Sequence, residues 1–384
     1  MTGLLVLTMG MLLLPLHLIL AEMISERSQI ASFKVMDVLA RAIEIESTGS
    51  QVCHMEAGQP STNAPSKVIE EALRAVQHEN IGYTNAIGIL PLRQAIAKHY
   101  LSKYEVEVSP DQVIITTGSS AAFLFAFLGC FDHGDCVALC SSGYPCYRNL
   151  MKATNLNPIS IPMNNEFKIT AKELMQVIER RKELKLPPIK GLILSSPSNP
   201  TGAMLSDIEM EELCKVCNSN GILFISDEIY HGISYGNQKE VTALSYSKSA
   251  IVINSFSKYY SMTGIKNNLI ISSKYALVGW RLGWMIVPPS LVSTMNRLSQ
   301  NMYINAPTLS QIAAVKAFEC NEELDKLVEV YRVNRQCVLD TLAELNILDV
   351  SPADGAFYVY ADLSKQGITD TMDLCKRYLV VTKL

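Results

Sequence analysis

The chain contains 384 residues, a length that suggests two domains or one large and one small domain. Hydrophobic residues make up 48% and charged residues 18%, which excludes a largely disordered chain and allows a large buried core. The 33 basic and 37 acidic residues give a net charge of −4. They form no basic stripe, so we expect no nucleic-acid partner.

The cysteines indicate a reduced protein and no disulfide framework. The chain has ten, scattered among apolar neighbours: Cys53, Cys130, Cys136, Cys140, Cys146, Cys214, Cys217, Cys320, Cys337 and Cys375. Cys214 and Cys217 form a CxxC pair in a helical run, so zinc or redox use is the alternative there. Without a second pair, buried thiols are favoured and we expect no metal site. We predict a cytoplasmic location for the body of the protein.

The N-terminus is almost wholly apolar from Leu4 to Leu20 and is about long enough to cross a bilayer. No lysine or arginine precedes this run, unlike in a typical secretory signal. Residues 1–22 therefore have three interpretations: a membrane anchor, a targeting leader, or an extension foreign to the fold. Membrane or organelle targeting stays open. We divide the remainder into an N-terminal segment (23–60), a large domain (61–300) and a small domain (301–384).

From Val68 onward, short apolar runs alternate with segments that have helical periodicity. This pattern is typical of a mostly parallel α/β sheet covered on both faces. The predicted strands are Val113–Thr116, Cys136–Leu139, Ile159–Ile161, Leu192–Leu194, Ile222–Ile225, Ile251–Asn254 and Trp284–Val287. The predicted helices between them include Ser119–Cys130, Thr170–Leu184 and Asp207–Asn218. After Pro307 we predict helices over Ser310–Phe318 and Glu322–Leu345 and a strand over Ala356–Tyr360. This change indicates a smaller α+β domain.

Polar residues follow several of these strands, where ligands bind in open α/β sheets. Gly118, Ser119 and Ser120 begin a helix and form a candidate anion cradle, although an ordinary N-cap is favoured when this motif is taken alone. Ser196–Gly202 contains two prolines and a glycine, a rigid turn that would aim the Asn199 amide.

Charged side chains follow two further strands, and a third lies just before the predicted strand Trp284–Val287. Asp227 at a buried strand end needs a cation or a protonated ring nitrogen as a partner. Lys258 after the next strand can lose its proton and act as a Schiff-base nucleophile. Arg281 is able to hold a phosphate with two hydrogen bonds.

In this order, the motifs resemble class I/II aminotransferases, pyridoxal-phosphate enzymes of fold type I related to aspartate aminotransferase. The matching segments are Gly82–Gly88, Thr116–Ala121, Gly143–Tyr147, Ser195–Gly202, Ser226–Tyr230, Ser255–Gly264 and Trp280–Trp284. The resemblance runs from about Met23 to Leu384. It implies a three-layer, mostly parallel α/β large domain with a smaller, incomplete α+β domain.

The resemblance also implies roles at pyridoxal 5'-phosphate. Lys258 would form a Schiff base with it and move the proton, and Asp227 would pair with the pyridine nitrogen. Asn199 and Tyr230 would contact the phenolic oxygen. The other implied cofactor contacts are stacking by Tyr144, a phosphate cradle of Ser119, Ser120, Ser255 and Arg281, and Tyr83 reaching the phosphate of a partner subunit in a homodimer. Ala57, Gly58 and Asn199 would face the substrate carboxylate.

The sequence departs from the family at two places. Ile265–Gly279 interrupts the motif that joins Lys258 to Arg281, which makes the placement of Arg281 uncertain. The family also carries, further on, an arginine that holds the substrate α-carboxylate, and no residue up to Leu384 matches it. Weaker substrate positioning is the expected consequence.

The resemblance implies a transaminase that moves the amino group of a small L-amino acid (alanine or aspartate type) to a 2-oxo acid such as 2-oxoglutarate. Two alternatives stay open at this point. One is a C–S β-lyase on the same scaffold, and the other is a cofactor-binding homologue with impaired catalysis.

Overall fold

A computed structural model describes residues 24–56, 58–60, 62–236, 238–264 and 279–381. The apolar segment 1–22, Ala57 and residues 265–278 of the insertion lie outside the described residues. Within the described ranges, no helix combines the length and the apolar character needed to cross a membrane.

One sheet dominates the described part of the chain. Its strands are β1 (Val113–Thr116), β2 (Cys136–Cys140), β3 (Asn157–Ile161), β4 (Ile189–Ser195), β5 (Leu223–Asp227), β6 (Ile251–Ser255) and β7 (Gly283–Ile286). They lie in the order β1-β7-β6-β5-β4-β2-β3. Only β7 runs antiparallel to its two neighbours, so the sheet is mostly parallel, as predicted. All seven predicted strands are confirmed, with ends that differ by at most a few residues.

Eleven α-helices occur among the described residues. They are α1 (Lys34–Ser47), α2 (Ser66–His78), α3 (Leu90–Tyr104), α4 (Ser119–Cys130), α5 (Pro145–Ala153), α6 (Ala171–Glu183), α7 (Asp207–Ser219), α8 (Pro289–Met302), α9 (Thr308–Ala314), α10 (Asn321–Glu344) and α11 (Thr371–Val381). Short 3₁₀ turns lie at Glu26–Ser28, Pro110–Gln112, Ala243–Ser245, Val315–Glu319 and Ser364–Gln366. The predicted helix over Ser119–Cys130 has the observed bounds.

The core lies on both faces of the sheet because strand side chains alternate. Ile115, Leu192 and Val252 belong to one apolar cluster. Their neighbours Ile114 and Ile193 belong to a second cluster on the opposite face, together with Phe123 and Phe127 of α4. Helices therefore cover both faces, which gives the predicted three-layer architecture.

The predicted strand over Ala356–Tyr360 is wrong. Only isolated bridges occur beside it, between Gly355 and Ser234 and between Ala361 and Val350. Ala356 has a φ of 59°, in the left-handed region, so the backbone turns where a strand would have to stay extended. The two helices predicted before it do form, and the division into domains at residue 300 stays a prediction.

Candidate active site

A cavity of about 380 Å³ lies where the carboxyl ends of β5 and β6 meet the first turn of α4. Nearly all the predicted site residues line it: Gly58, Ser119, Ser120, Tyr144, Asn199, Asp227, Tyr230, Ser255, Lys258 and Arg281. Parallel strands bring their ends to one sheet edge, and for this reason side chains far apart in sequence converge here.

Lys258 follows β6 and points into this cavity. Its Nζ donates a hydrogen bond to the carbonyl oxygen of Gly58 at 2.5 Å. The same atom lies 5.5 Å from the ring centre of Tyr230 and 5.4 Å from that of Phe357. Burial lowers the pKa of Lys258 to about 8, against the opposing effect of Asp227 and with a further lowering by Arg281. A substantial neutral fraction near neutral pH makes this amine a competent nucleophile.

Asp227 ends β5 and is only 3% exposed. The Tyr147 hydroxyl donates to its Oδ2, and the Ile229 N–H donates to Oδ1 at 3.1 Å. Burial raises the pKa of Asp227 to about 6, while these two hydrogen bonds and the charge of Lys258 oppose the rise. A cation bound beside this carboxyl would favour its ionised form further, which suits a protonated ring nitrogen.

Glu228 holds the end of β5 in place. Its Oε1 accepts hydrogen bonds from Ser226 Oγ at 3.1 Å, Thr242 Oγ1 at 2.9 Å and the Ala243 N–H at 2.9 Å. These contacts connect the strand end to the 3₁₀ turn that begins at Ala243. The backbone around Asp227 is therefore fixed before any ligand binds.

Asn199, Tyr230 and Tyr358 form a chain of hydrogen bonds. Asn199 Nδ2 donates to the Tyr230 hydroxyl at 3.3 Å, which lies 2.7 Å from the Tyr358 hydroxyl. A Cβ at Gly58 would overlap the Tyr358 hydroxyl, so glycine lets this backbone approach the ring. The chain gives the cavity donors for an oxygen substituent on a bound ring.

The anion cradle forms around Gly118, whose φ of 79° starts α4. A Cβ at Gly118 would lie 2.8 Å from Arg281 Nη2, so the absence of a side chain admits the guanidinium. Ser255 Oγ donates to the Leu282 carbonyl at 3.1 Å and lies 2.9 Å from Ser257 Oγ. Free N–H groups at a helix start, hydroxyls and an arginine together suit a phosphate.

Two tyrosines predicted to contact the cofactor lie in different places, one inside the cavity and one outside it. Tyr144 lines the cavity, with its ring centre 5.8 Å from that of Phe33 and 5.4 Å from that of Tyr147, edge to face in both cases. Tyr83 is 84% exposed and lies beside Tyr303 and Thr308, outside the cavity of its own chain. Its role toward a partner subunit stays a prediction.

Several residues that line the cavity were not predicted from the sequence. Tyr147 ends the segment Gly143–Tyr147 that matches the family, and Tyr358 lies in the stretch predicted as a strand, but nothing in the sequence shows which side chains they contact. The N-terminal segment contributes the apolar side chains of Phe33, Val35 and Met36 to the same cavity, together with Glu56 and Gln59. No motif marks the three apolar residues. Glu56 and Gln59 lie in the same turn as Gly58, which resembles the family, but that resemblance does not show where their side chains lie. The described residues contain no group of three or more His, Cys, Asp or Glu able to hold a metal ion.

These features fit pyridoxal phosphate in chemical type. An anion cradle, a buried carboxyl, an aromatic side chain and a lysine with a lowered pKa all face the same cavity. Together they suit a molecule with a phosphate, a basic ring nitrogen and a carbonyl that forms a Schiff base.

The sequence matches the family described as aminotransferase class I and II over residues 50–274 and 270–382. The two matched segments meet inside the interval Ile265–Gly279 that interrupts the motif. A valine–pyruvate aminotransferase of Mycobacterium tuberculosis is 40% identical over 368 residues, covering 94% of this chain and 89% of the relative. A (5-formylfuran-3-yl)methyl phosphate transaminase of Methanocaldococcus jannaschii is 32% identical, covering 91% and 86%.

Solved structures agree with this assignment. An aminotransferase from Mycobacterium tuberculosis has a TM-score of 0.85 at 40% identity, over 94% of this chain and 88% of that chain. An aspartate aminotransferase of Thermus thermophilus with maleate has a TM-score of 0.83 at 25% identity, over 93% and 89%. The chain belongs to the class I and II aminotransferase family and is an enzyme of the aminotransferase class. Members are generally dependent on pyridoxal phosphate, act on amino and oxo acids and are typically dimeric.

Proposed function

We propose that this chain transfers the amino group of a small L-amino acid, of the alanine or aspartate type, to a 2-oxo acid such as 2-oxoglutarate or pyruvate. The observation that carries the proposal is the position of Lys258. Its amine lies buried in the cavity with a lowered pKa, and Asp227 lines the same cavity. The relative named valine–pyruvate aminotransferase supports pyruvate as one acceptor and adds valine to the donors.

The residues divide the work by position. Pyridoxal phosphate, when bound, supplies an electron sink for the pair of electrons left when the substrate Cα loses its proton. Lys258 Nζ would take that proton and release it to the carbon that comes from the cofactor's aldehyde, since only the neutral amine acts as a base. Asp227 holds a ring nitrogen in its protonated form. The phosphate is held by Ser119, Ser120, Ser255 and Arg281. If two chains share a site, Tyr83 of the second chain also contacts it.

The substrate carboxylate has candidate contacts close to the lysine. The backbone of Gly58 and the side chain of Asn199 line the cavity beside Lys258 and Tyr230. We propose that both face the α-carboxylate, while Tyr144 packs against the cofactor ring. Since Tyr83 is exposed and does not line the cavity of its own chain, we also propose a homodimer in which it reaches the partner's phosphate.

The test is a product assay on the full chain with pyridoxal phosphate. L-valine and L-aspartate are each supplied with pyruvate or 2-oxoglutarate, and L-alanine is supplied with 2-oxoglutarate alone, because alanine and pyruvate would only convert into each other. Both products are quantified by chromatography. Equal amounts of the new amino acid and the new 2-oxo acid are the expected result. Release of pyruvate and a thiol from cystathionine, without amino transfer, would indicate a C–S β-lyase. A bound cofactor with no product from any pair would indicate a homologue with impaired catalysis.

A further inference from the structure

A charged cluster lies at the N-terminal side of the cavity. His54 Nδ1 lies 2.7 Å from Glu56 Oε1, and its Nε2 lies 3.0 Å from Glu46 Oε1 at the end of α1. The Glu56 side chain is 11% exposed and lines the cavity, whereas those of His54 and Glu46 are 37% and 42% exposed. Glu56 is therefore the member of the cluster that a substrate would meet.

The cluster keeps a net negative charge. Each ring nitrogen of His54 faces a carboxylate oxygen, so both hydrogen bonds form only when the imidazole is protonated and donates from both sides. The hydrogen bonds to Glu56 and Glu46 raise the pKa of His54 accordingly. Burial opposes ionisation of Glu56, but the hydrogen bond with His54 lowers its pKa overall. Two carboxylates and one imidazolium leave one negative charge.

Each described lysine or arginine that lines the cavity already has a partner there. None is available to pair with a carboxylate in a substrate's side chain. Among the described residues that line the cavity, Lys258 and Arg281 are the only lysine or arginine. Lys258 faces Asp227 and the Gly58 carbonyl, and the Arg281 guanidinium lies against Gly118 in the anion cradle. The N-terminal segment that supplies Glu56 also lines the cavity with the apolar side chains of Phe33, Val35 and Met36.

We propose that Glu56 is a specificity-determining residue that excludes substrates with a carboxylate in the side chain, so that the enzyme acts on neutral aliphatic amino acids. This inference rests on the proposed function and narrows it on both sides of the reaction. The donors narrow from the alanine or aspartate type to the alanine and valine type, and the acceptors narrow to neutral 2-oxo acids such as pyruvate, without 2-oxoglutarate. The physical cause is repulsion between like charges inside a partly desolvated cavity, where screening by water is weak.

The experiment measures ligand binding, so it needs no turnover. Isothermal titration calorimetry on the full chain loaded with pyridoxal phosphate compares maleate, a dicarboxylate, with isovalerate, a neutral branched monocarboxylate. Glu56→Gln keeps the size and polarity of the side chain but removes its charge. We expect maleate to bind this variant about tenfold more tightly, with isovalerate changed less than about twofold.

Two further variants separate charge from structure. His54→Gln removes the compensating cation, so maleate should bind more weakly by several-fold while isovalerate changes little. Glu44→Gln is the matched control, because Glu44 is exposed, pairs with Arg41 and does not line the cavity. Its ratio of maleate to isovalerate affinity should equal that of the wild type. Comparing two ligands on each variant also cancels any difference in the folded fraction.

The outcomes are distinct. An unchanged affinity ratio in Glu56→Gln, or a shift in the same direction in both Glu56→Gln and His54→Gln, would overturn the role of Glu56. If the wild type binds pyridoxal phosphate but neither carboxylate ligand, the proposed function fails and the inference fails with it. Opposite shifts in the two variants would establish that Glu56 selects by charge.

Discussion

The two sides of the cavity are built differently. The floor comes from the strand ends, where Asp227 and Tyr230 are each 3% exposed and Ser255 is 1% exposed. The opposite wall comes from residues 33–59, where Met36 is 52% exposed. Hydrogen bonds hold the floor from several directions, whereas α1 contributes a single buried residue, Ala42. We therefore propose that the fixed groups at the strand ends carry the chemistry, while the more exposed wall selects the substrate.

The largest expected effect is at the centre of the floor. Lys258→Ala removes the nucleophile and the base together, so amino transfer should fall by about 10³-fold or more. The measurement is the initial rate of 2-oxo acid formation. Lys248→Ala, at an exposed lysine outside the cavity, is the control and should keep the wild-type rate. Equal rates in both variants would show that the floor does not carry the reaction.

The lowered pKa of Lys258 predicts a distinct pH dependence. Because only the neutral amine reacts, modification of Lys258 in the cofactor-free chain by an amine reagent should rise with pH, with a midpoint at about 8. The ordinary pKa of a lysine side chain is 10.5. Asp227→Asn removes a charge that raises this pKa, so the midpoint should move lower still. Peptide mapping after labelling gives each midpoint, and a value near 10.5 for Lys258 would contradict its desolvation.

Tyr147→Phe tests the support of the buried carboxylate. The variant loses the hydroxyl that donates to Asp227, so the pKa of Asp227 should rise and amino transfer should fall about tenfold. The loss should be larger at low pH, where the unsupported carboxylate is protonated first. The pH profile of the rate checks this. A uniform loss at every pH would indicate a packing role for Tyr147 in place of an electrostatic one.

Gly118→Ala tests the anion cradle with a matched partner. Gly118 and Gly221 both have positive φ, at 79° and 65°, so alanine should destabilise the fold by about 1 kcal/mol at either site. A Cβ meets Arg281 only at Gly118, while at Gly221 it meets open space. Cofactor affinity, measured by fluorescence titration, should therefore fall only in Gly118→Ala. An equal loss in both variants would remove the phosphate role.

The smallest expected change in activity follows from deleting the interruption Ile265–Gly279. Its two ends are adjacent, since a Cβ at Gly264 would lie 3.7 Å from the nitrogen of Gly279. Deleting 265–279 should therefore keep the fold. It should add about 2 kcal/mol of stability or less, because a shorter connection between Gly264 and Trp280 loses less conformational entropy on folding. Denaturant unfolding and cofactor titration measure both effects. Loss of cofactor binding would show that the interruption itself helps to place Arg281.

The sequence was most informative where a residue's surroundings depend on local pattern. Strands such as Ile251–Ser255, buried on both faces, stand out as apolar runs, and motifs beside them locate Asp227 and Lys258. The segment Ala356–Tyr360, where a strand was expected, is also largely apolar and aromatic, but the positive φ at Ala356 has no signal in the sequence.

Contacts between distant segments were beyond sequence reasoning. Tyr147 bonds to Asp227 across 80 residues, and Tyr230 to Tyr358 across 128 residues. No spacing rule relates such pairs, because the sheet order brings them together. Glu56 lies in a turn that matches the family, yet only the fold places its carboxylate on the cavity wall.

We propose that the side chains at the strand ends, with Lys258 at their centre, carry both half-reactions of an amino transfer. The most direct test is the visible absorption of the full chain with pyridoxal phosphate, recorded after L-valine is added and again after an excess of pyruvate. We expect a visible band that disappears when L-valine is added, returns with pyruvate and is absent in Lys258→Ala. A band that ignores L-valine and L-alanine, or that forms equally without Lys258, would contradict it.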